Sequence, residues 1–306
     1  MPSYSQYLRQ MAVLDSDDDI QWITVKGNHI PIKKGENKEE AIKSFFESKN
    51  KGEKSTGEKK TETSKTAKPD HTHLQKSIET ILKKSKLDFS KASEKPAAKS
   101  TEKPKAPSKA IVHILDTAES SEPKITSDLK SIPGIEFHGL DFRLKTRKSA
   151  IDKITRNRIE DPKKYENISD EQIMGDMWDL VRYTQVVKPE TFKKQVIQTL
   201  KTLEKKGYKI HDIKNFYNPK VNKGTNPYRG INAKIISPDG QKFEYQFNTP
   251  KNIYIKDNGL HTVYEKQRNY SPDSKEHQQY NAVSMQISKL FDEPQDGLED
   301  FTWERS

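Results

Sequence analysis

Residues 231–249, INAKIISPDGQKFEYQFNT, read as two strands joined by a tight turn. The strands, Ile231–Ile236 and Phe243–Phe247, are rich in β-branched and aromatic residues, and the Ser-Pro-Asp-Gly between them is a turn sequence. In the second strand, aromatic residues alternate with polar ones, among them Glu244 and Gln246. A period of two places the polar set on one face of a sheet and the aromatic set on the other. The pair therefore predicts a sheet with an apolar core on one side and a chemically competent face on the other.

Helical and extended patterns surround these two strands. They predict helices at 142–158, 170–178, 190–206 and 272–290, and two further strands at 181–187 and 208–217. Such a mixture is typical of an α+β domain, in which helices pack against one sheet. The domain is expected to span residues 110–292, which is long enough to bury one core, and to leave 293–306 as a tail.

The composition indicates that the chain is organised differently before residue 110. Of its 306 residues, 31% are hydrophobic and 33% are charged, and the mean hydropathy is −1.02. Residues 47–109 contain no Trp or Tyr and a single Phe, and they carry a net charge of +8 out of +10 for the chain. Such a segment buries too little apolar surface to offset its ordering entropy, so it is predicted to be a disordered linker.

Two short patterns stand out in this region. Four apolar residues between Leu74 and Leu82 share one helical stripe, which indicates either a transient helix in the linker or a short partner-binding helix. Residues 21–35, QWITVKGNHIPIKKG, predict a hairpin, which is followed by a short helix at 38–48 in a module spanning 1–46. The hairpin resembles a segment of tailed-phage head-associated proteins, which implies docking to a phage head or portal protein. An ordinary hairpin of no known lineage is the alternative.

Several classes of protein conflict with the composition. The absence of cysteine excludes disulfide scaffolds, zinc–thiolate sites and thiol nucleophiles. No run of ~18 apolar residues is present, so no membrane-spanning segment and no membrane partner are expected. The first 19 residues lack the apolar core of a secretory signal. We therefore expect a cytoplasmic protein of a bacterial host, or one associated with a virion.

Basic residues at helical spacing form the first candidate site. Lys145, Ser149 and Lys153 are four residues apart and would share one helical face, with Arg143 half a turn away. Two ammonium groups and a hydroxyl in a row can bind a polyphosphate, to which Arg adds fork-like contacts. A solvated basic helix face is the alternative.

Four further residues carry candidate chemistry. Asp179 lies just before the predicted strand at 181–187, where a carboxylate can bind Mg²⁺ or serve as a turn residue. Tyr228 and Arg229 lie in a loop rich in Gly, Asn and Pro, where a tyrosine can stack on a nucleobase or pack within the loop. Glu244, on the polar strand face, can be a metal ligand or a general base, unless that face is merely half-exposed.

The order of these motifs resembles the synthetase domain of RelA/SpoT-like nucleotide pyrophosphokinases, the alarmone synthetases and their toxin relatives. That family begins with R-x-K-x-x-x-S-[IV]-x-x-K, which Arg143, Lys145, Ser149 and Lys153 match. Its later motifs are matched by Asp179, by Lys214, Tyr228 and Arg229, by Glu244 and Gln246, and by Gly259 and His261. The resemblance covers residues 140–268 and implies a nucleotidyltransferase-like α+β fold with a mixed, mainly antiparallel sheet.

The resemblance implies transfer of the β,γ-diphosphate of ATP to a 3′-hydroxyl. Asp179 and Glu244 would be the catalytic acids and would share one Mg²⁺ ion. The donor would be bound by Arg143, Lys145, Ser149, Lys153 and Arg182, and the acceptor by Lys214, Tyr228, Arg229, Asn232, Gln246 and His261. The acceptor would be GDP or GTP, another nucleotide, or the 3′ end of a tRNA.

The chain departs from the family pattern mainly on the acceptor side. Gly230 and Asn232 stand where the family has Ser and His, and Asn248 stands where it has Arg. The phage-like segment, together with the lack of a hydrolase domain before the synthetase, favours a phage or prophage toxin with an antitoxin partner. The alternative is a catalytically inactive virion-associated protein that binds capsid or portal and DNA. The presence of both Asp179 and Glu244 argues against that alternative.

Overall fold

The computed structural model describes residues 20–25, 28–33, 37, 40, 71–89, 106–224, 226–292, 298 and 301–303, with the backbone alone for 20–33. The chain divides into two compact units, residues 1–67 and 68–306. In the first unit, strands β1 (Ile20–Val25) and β2 (Asn28–Lys33) pair antiparallel, with Trp22 opposite Pro31. The helix predicted at 38–48 lies outside the described residues, apart from Glu40.

A five-stranded mixed sheet forms the centre of the second unit. Its strands are β3 (Glu136–His138), β4 (Arg182–Val186), β5 (Lys209–Asn215), β6 (Ile231–Ile236) and β7 (Lys242–Asn248). Their spatial order is β3-β4-β7-β6-β5, with β4 and β7 parallel and the other neighbours antiparallel. The predicted α+β class with a mixed, mainly antiparallel sheet is confirmed.

Helices flank this sheet. They are α1 (Thr72–Ser85), α2 (Lys109–Lys130), α3 (Arg147–Glu160), α4 (Pro162–Tyr165), α5 (Asp170–Gly175), α6 (Phe192–Lys205), α7 (Pro219–Asn222), α8 (Pro250–Ile255), α9 (His261–Gln267) and α10 (Lys275–Ser288). A π-helical turn, Lys256–Leu260, joins α8 to α9. Such turns interrupt the regular hydrogen-bond ladder and occur frequently at functional sites.

The aromatic face of β7 lies in the main core. Phe243, Tyr245 and Phe247 are fully buried among apolar side chains that include those of α2 and α6. The predicted alternation is thus confirmed. The opposite face is covered too: Gln246 and Asn248 are buried, and Asn248 bonds to the loop that precedes β6. The interpretation of this face as half-exposed is therefore wrong for these two residues.

Helix α2 is a major core element that the sequence analysis does not predict. Its buried positions include Ile111, Leu115, Ala118, Glu122, Ile125 and Leu129, which recur at spacings of three and four. Glu122 interrupts the apolar stripe, and Pro123 removes a backbone donor inside the helix. Those two residues hide an otherwise regular helical pattern.

A second cluster of buried side chains joins α1 to the C-terminal helices. Its centre contains Ile255, Leu260, Val263, Tyr280, Val283, Ile287 and Phe291, and the apolar side chains of residues 74–89 pack against it. Ile78 is 3% exposed. It lies against Gly259, where a Cβ atom would meet Ile287 Cγ2 at 2.9 Å and Ile78 Cδ1 at 3.4 Å. Helix α1 is therefore part of the second unit.

This position of α1 corrects the interpretation of the linker at 71–89. The sequence predicts disorder over 47–109, with a helix that is transient or bound to a partner. In the structure the apolar stripe packs on its own chain, against residues such as Tyr280. A composition argument cannot reveal a partner that lies so far away along the sequence. Residues 47–70 and 90–105 lie outside the described part of the chain.

The segment predicted as a C-terminal tail also contributes to the core. Leu298 and Phe301 are buried. The Asn215 side-chain amide of β5 donates to the backbone oxygen of Leu298 at 2.6 Å. This contact satisfies a buried amide at the edge of the sheet, so at least these residues of 293–306 are structural.

No helix in the described ranges is long and apolar enough to cross a membrane. Docking of residues 1–46 to a phage head or portal protein stays a prediction. The backbone pairing of β1 and β2 does not test it.

Candidate active site

A cleft of about 880 Å³ opens on the polar face of the sheet. Its walls come from α3, the start of β4, the loop before β6, and the helical segment 256–284. Among the predicted site residues, it gathers Lys145, Ser149, Lys153, Asp179, Arg182, Tyr228, Asn232, Gln246 and His261. Residues from more than 100 positions of sequence therefore converge on one cavity.

The predicted phosphate-binding ladder lies on one wall of this cleft. Helix α3 begins at Arg147, because the hydroxyl of Thr146 caps it by accepting from the backbone N–H of Ser149 at 3.2 Å. Lys145 therefore precedes the helix. Its backbone N–H donates to Leu180 O at 2.9 Å, and this bond holds it beside the start of β4. Lys145, Ser149 and Lys153 reach the same cavity.

Asp179 lies between the two lysines of the ladder. Lys153 Nζ is 2.7 Å from its Oδ1 atom, and Lys145 Nζ is 3.3 Å from its Oδ2 atom. Burial by itself raises the pKa of Asp179, but the two ammonium groups outweigh it and bring that pKa below its usual range. Burial lowers the pKa of Lys145, which the charge of Asp179 only partly offsets. Lys145, Lys153 and Asp179 thus form one charged cluster on this wall of the cleft.

Arg143 does not reach the cleft, contrary to the prediction that it binds the donor nucleotide. Its Nη2 atom donates to Glu122 Oε2 at 3.2 Å, its Nε also donates to that carboxylate, and its Nη1 donates to Leu140 O at 2.8 Å. Glu122 is 5% exposed. A carboxylate so deeply buried requires a charged partner. The structure therefore places Arg143 in a core ion pair with α2.

A hydrogen-bond network on β4, β6 and β7 holds Glu244. Asn232 Nδ2 donates to Glu244 Oε1 at 2.9 Å, and Gln246 Nε2 donates to Oε2 at 3.2 Å. Thr184 donates in turn to Gln246 Oε1 at 3.2 Å. Asn232 and Gln246 line the cleft, whereas Glu244 does not line it itself and adjoins it through its bonds to these two side chains. Two neutral side-chain amides thereby orient its carboxylate.

Tyr228 lines the same cleft as Lys145 and Lys153, as the motif order predicts. Its ring packs edge-on against Phe216, with 5.2 Å between the centroids. Its hydroxyl donates to Asn232 Oδ1 at 2.9 Å and accepts from Asn248 Nδ2 at 2.8 Å. Burial raises the pKa of Tyr228, so the hydroxyl stays protonated and able to donate. The ring is therefore both a wall of the cleft and an anchored side chain.

Two predicted acceptor residues are placed differently. Lys214 is exposed on β5, opposite Asn232, and does not line the cleft. Arg229 turns back on its own loop, where Nη1 donates to the backbone oxygens of Asn226 and Tyr228 at 3.1 and 3.0 Å. The structure thus gives Arg229 a role in shaping the loop.

The cleft also contains groups that the sequence analysis does not assign to it. Lys256 and Asp257 belong to the π-helical turn, and the Asp257 carboxylate bonds His138 Nε2 at 2.7 Å. Burial raises the pKa of Asp257, but His138 and Lys256 outweigh it and lower that pKa overall. Burial lowers the pKa of Lys256. Their position two and three residues before Gly259 was the available signal. Arg156, Tyr264, Arg268, Asn281 and Ser284 complete this side.

The donor set suits a metal ion that arrives with phosphate groups. Within the described residues, no three His, Cys, Asp or Glu side chains converge as a metal-binding group. Mg²⁺ is commonly held by one or two carboxylates plus substrate phosphates. Asp179 lines the cleft between Lys145 and Lys153, where it could meet a metal ion that is bound to phosphate groups. Whether Glu244 shares the ion stays a prediction.

Comparisons with known proteins add a similarity at the level of structure. No protein-family model matches the chain, and no curated protein matches it. Among solved structures, the chain is similar to one from the crystal structure of the complex between the Type VI effector Tas1 and its immunity protein. The alignment covers 61% of this chain and 98% of that chain, with 19% sequence identity and a TM-score of 0.42.

Proposed function

We propose that the chain is a nucleotide pyrophosphokinase of the RelA/SpoT-like class. The observation that carries the proposal is the arrangement of Lys145 and Lys153 on the two oxygens of Asp179, within one cleft that Ser149 and Arg182 also line. Such a set can bind a polyphosphate and a metal ion together. The order of the sequence motifs supports the same class.

The reaction is a displacement at the β-phosphorus of ATP. The 3′-oxygen of the acceptor forms a bond to that phosphorus, the bond to the oxygen bridging the α- and β-phosphates breaks, and AMP leaves. The hydroxyl proton passes to a base. Catalysis of this kind depends mainly on positioning and charge neutralisation.

The contacts of the two acids favour a division of labour. Asp179 is bonded to the donor-side lysines, whereas Glu244 is bonded to Asn232 and through it to Tyr228. We assign Asp179 to the metal and the ATP phosphates, and Glu244 to the acceptor hydroxyl as the proton acceptor. Bound Mg²⁺ would neutralise charge on the phosphates.

The acceptor half is formed by Tyr228, Asn232, Gln246 and His261. It fits a base that stacks on the Tyr228 ring, as in GDP, GTP, another nucleotide or the 3′ end of a tRNA. The role of a phage or prophage toxin with an antitoxin partner belongs to the same proposal and rests on the sequence features alone.

The deciding experiment follows label from ATP in the full-length protein with Mg²⁺. GDP, GTP, ADP and bulk tRNA are offered separately. γ-Labelled ATP should transfer label to one acceptor, and α-labelled ATP should yield AMP and leave that acceptor unlabelled. Formation of ADP instead of AMP would indicate a simple kinase and contradict the proposal.

The matched variants are Asp179→Asn and Asp273→Asn. Asp273 is exposed and outside the cleft, so its variant should transfer label as the wild type does. Full activity in Asp179→Asn would remove the proposed role of the ion-paired carboxylate.

A further inference from the structure

A continuous chain of hydrogen bonds links the candidate acceptor wall to the candidate base. It runs from Asn248 to the Tyr228 hydroxyl, then to Asn232 and on to Glu244, over distances of 2.8, 2.9 and 2.9 Å. The side-chain nitrogen of Asn248 donates to Tyr228, and that of Asn232 donates to Glu244. The position of the tyrosine ring and the orientation of the Glu244 carboxylate are therefore coupled through Asn232.

The space that the Tyr228 hydroxyl occupies exists because residue 230 is glycine. A Cβ atom at Gly230 would lie 2.4 Å from Tyr228 Oη, 2.7 Å from Tyr228 Cζ and 2.8 Å from Asn248 Oδ1. Heavy atoms essentially never approach a Cβ atom that closely. Any side chain at this position would displace the tyrosine or the asparagine.

Three departures from the family pattern meet at this one hydroxyl. Gly230, Asn232 and Asn248 are separate in sequence, yet two of them bond the Tyr228 oxygen and the third leaves room for it. Asn248 is fully buried, and its Oδ1 atom has no hydrogen-bond partner within the described part of the chain. An amide is seldom buried in this way without a compensating role.

We propose that Gly230, Asn232 and Asn248 act as one positioning unit that locks Tyr228 as a rigid wall of the acceptor site and sets the Glu244 carboxylate. This inference rests on the proposed function, which identifies this part of the cleft as the acceptor site. A ring fixed before binding costs less ordering entropy when a base stacks on it. The unit thus acts on the acceptor and not on ATP.

The geometric part is tested by a double-mutant cycle on unfolding, which needs no substrate. Gly230 lies outside the positive-φ region, so Gly230→Ala tests steric fit without backbone strain. It should lower the urea midpoint in the wild-type background and do so clearly less beside Tyr228→Ala, where only the contact with Asn248 remains. The matched control is Gly175→Ala, where a Cβ atom would meet nothing closer than Ile114 Cδ1 at 4.0 Å. Equal effects of Gly230→Ala in both backgrounds would overturn the lock.

The functional part is tested by steady-state kinetics with whichever of GDP, GTP, ADP or bulk tRNA accepts label. Gly230→Ala and Tyr228→Phe should raise the KM for that acceptor by about tenfold, the equivalent of one lost hydrogen bond, with the KM for ATP changed by less than about twofold. Equal changes in both KM values would refute a role specific to the acceptor. If the wild type labels none of the four, the proposed function and the acceptor role both fall, while the unfolding cycle still decides whether the hydroxyl is locked.

Discussion

The Nζ atom of Lys153 lies 2.7 Å from Oδ1 of Asp179, and this ion pair joins helix α3 to the start of β4. With Lys145 on the other oxygen, the carboxylate is held by two cations in a largely buried position, 17% exposed. The same three side chains are the ones proposed to meet ATP and its metal ion. The interaction that stabilises the free protein is therefore the one that substrate must rearrange.

Asp179→Asn should lose transfer and also lose stability. The amide removes the charge that two ammonium groups face, so it should lower the free energy of unfolding by about 1.5–3 kcal/mol, the usual range for hydrogen bonds to charged groups. Loss of the carboxylate that is proposed to bind the metal ion should lower transfer by at least about 10²-fold. Urea unfolding and the label assay measure the two effects, with Asp273→Asn as the control. An Asn variant as stable as the wild type would show that the lysines do not depend on Asp179.

The contribution of Asp179 to stability should depend on pH in a defined direction. Burial raises the pKa of this carboxyl, but Lys153 and Lys145 outweigh it, so the pKa is lower in the folded than in the unfolded chain. The ionised group therefore contributes its full stabilisation above the unfolded pKa, about 3.9, and loses it as the pH falls through the lower folded pKa. The difference in unfolding free energy between wild type and Asp179→Asn should be constant near neutral pH and shrink below about pH 4. A difference that disappears between pH 5 and 7 would assign the effect to another group.

The pKa of Lys145 should determine where activity falls at alkaline pH, the alkaline limb of the pH profile. Burial lowers its pKa more than Asp179 raises it, so the ammonium group should lose its proton below the usual lysine pKa of 10.5. The free enzyme would then lose a positive charge that is proposed to bind phosphate. The dependence of kcat/KM for ATP on pH reports the pKa values of groups in the free enzyme. Lys145→Arg keeps its charge to higher pH and should move that limb upward. An unchanged limb in the arginine variant would assign it to another group, such as Lys256.

Arg143→Ala should damage the fold and spare the donor site. Its loss leaves the buried Glu122 carboxylate without its cation, which should cost up to about 3 kcal/mol, the lower end for a buried pair, because the Arg143 side chain is 22% exposed. Glu122→Gln in the same variant should recover part of the stability, because the unpaired charge is removed. Denaturant midpoints compare the variants. A normal midpoint with a raised KM for ATP would instead return Arg143 to the donor site.

The sequence predicts the elements whose pattern is local and uninterrupted. Strands β6 and β7 lie within one residue of their predicted bounds, because a period-two pattern flanks an unambiguous turn. Helix α2 escapes prediction because a buried glutamate and a proline break its stripe, and the partner that permits Glu122 lies 21 residues away. Whether a charged residue can occupy a core position depends on its partner in the folded chain, which the spacing of residues alone cannot show.

In the candidate site, too, the sequence predicts what local motifs encode and not the contacts that form only in the folded chain. Lys145, Ser149, Lys153 and Asp179 meet in one cleft, as the motifs indicate. The fate of Arg143 and Arg229 could not be predicted, since each guanidinium finds acceptors supplied by the folded backbone or by α2. Lys256 and Asp257 belong to a π-helical turn, which has no spacing signature, so their place just before Gly259 was the one clue to them in the sequence.

Composition predicts disorder where the structure has helix α1, which is the sharpest difference between the two. Hydrogen exchange tests directly whether the helix is present. If α1 packs as described, amides of residues 72–85 should exchange slowly in the full-length protein, although they lie within a segment whose composition favours disorder. Ile78→Ala removes the buried side chain that lies against Gly259 and Ile287, a loss of about 2–5 kcal/mol for a core isoleucine. That cost should detach α1 and abolish its protection while the amides of β6 and β7 stay protected. The control is Lys83→Ala, at an exposed position of the same helix, which should leave the protection unchanged. Fast exchange across 72–85 in the wild type would restore the disordered linker and show that the second cluster forms without α1.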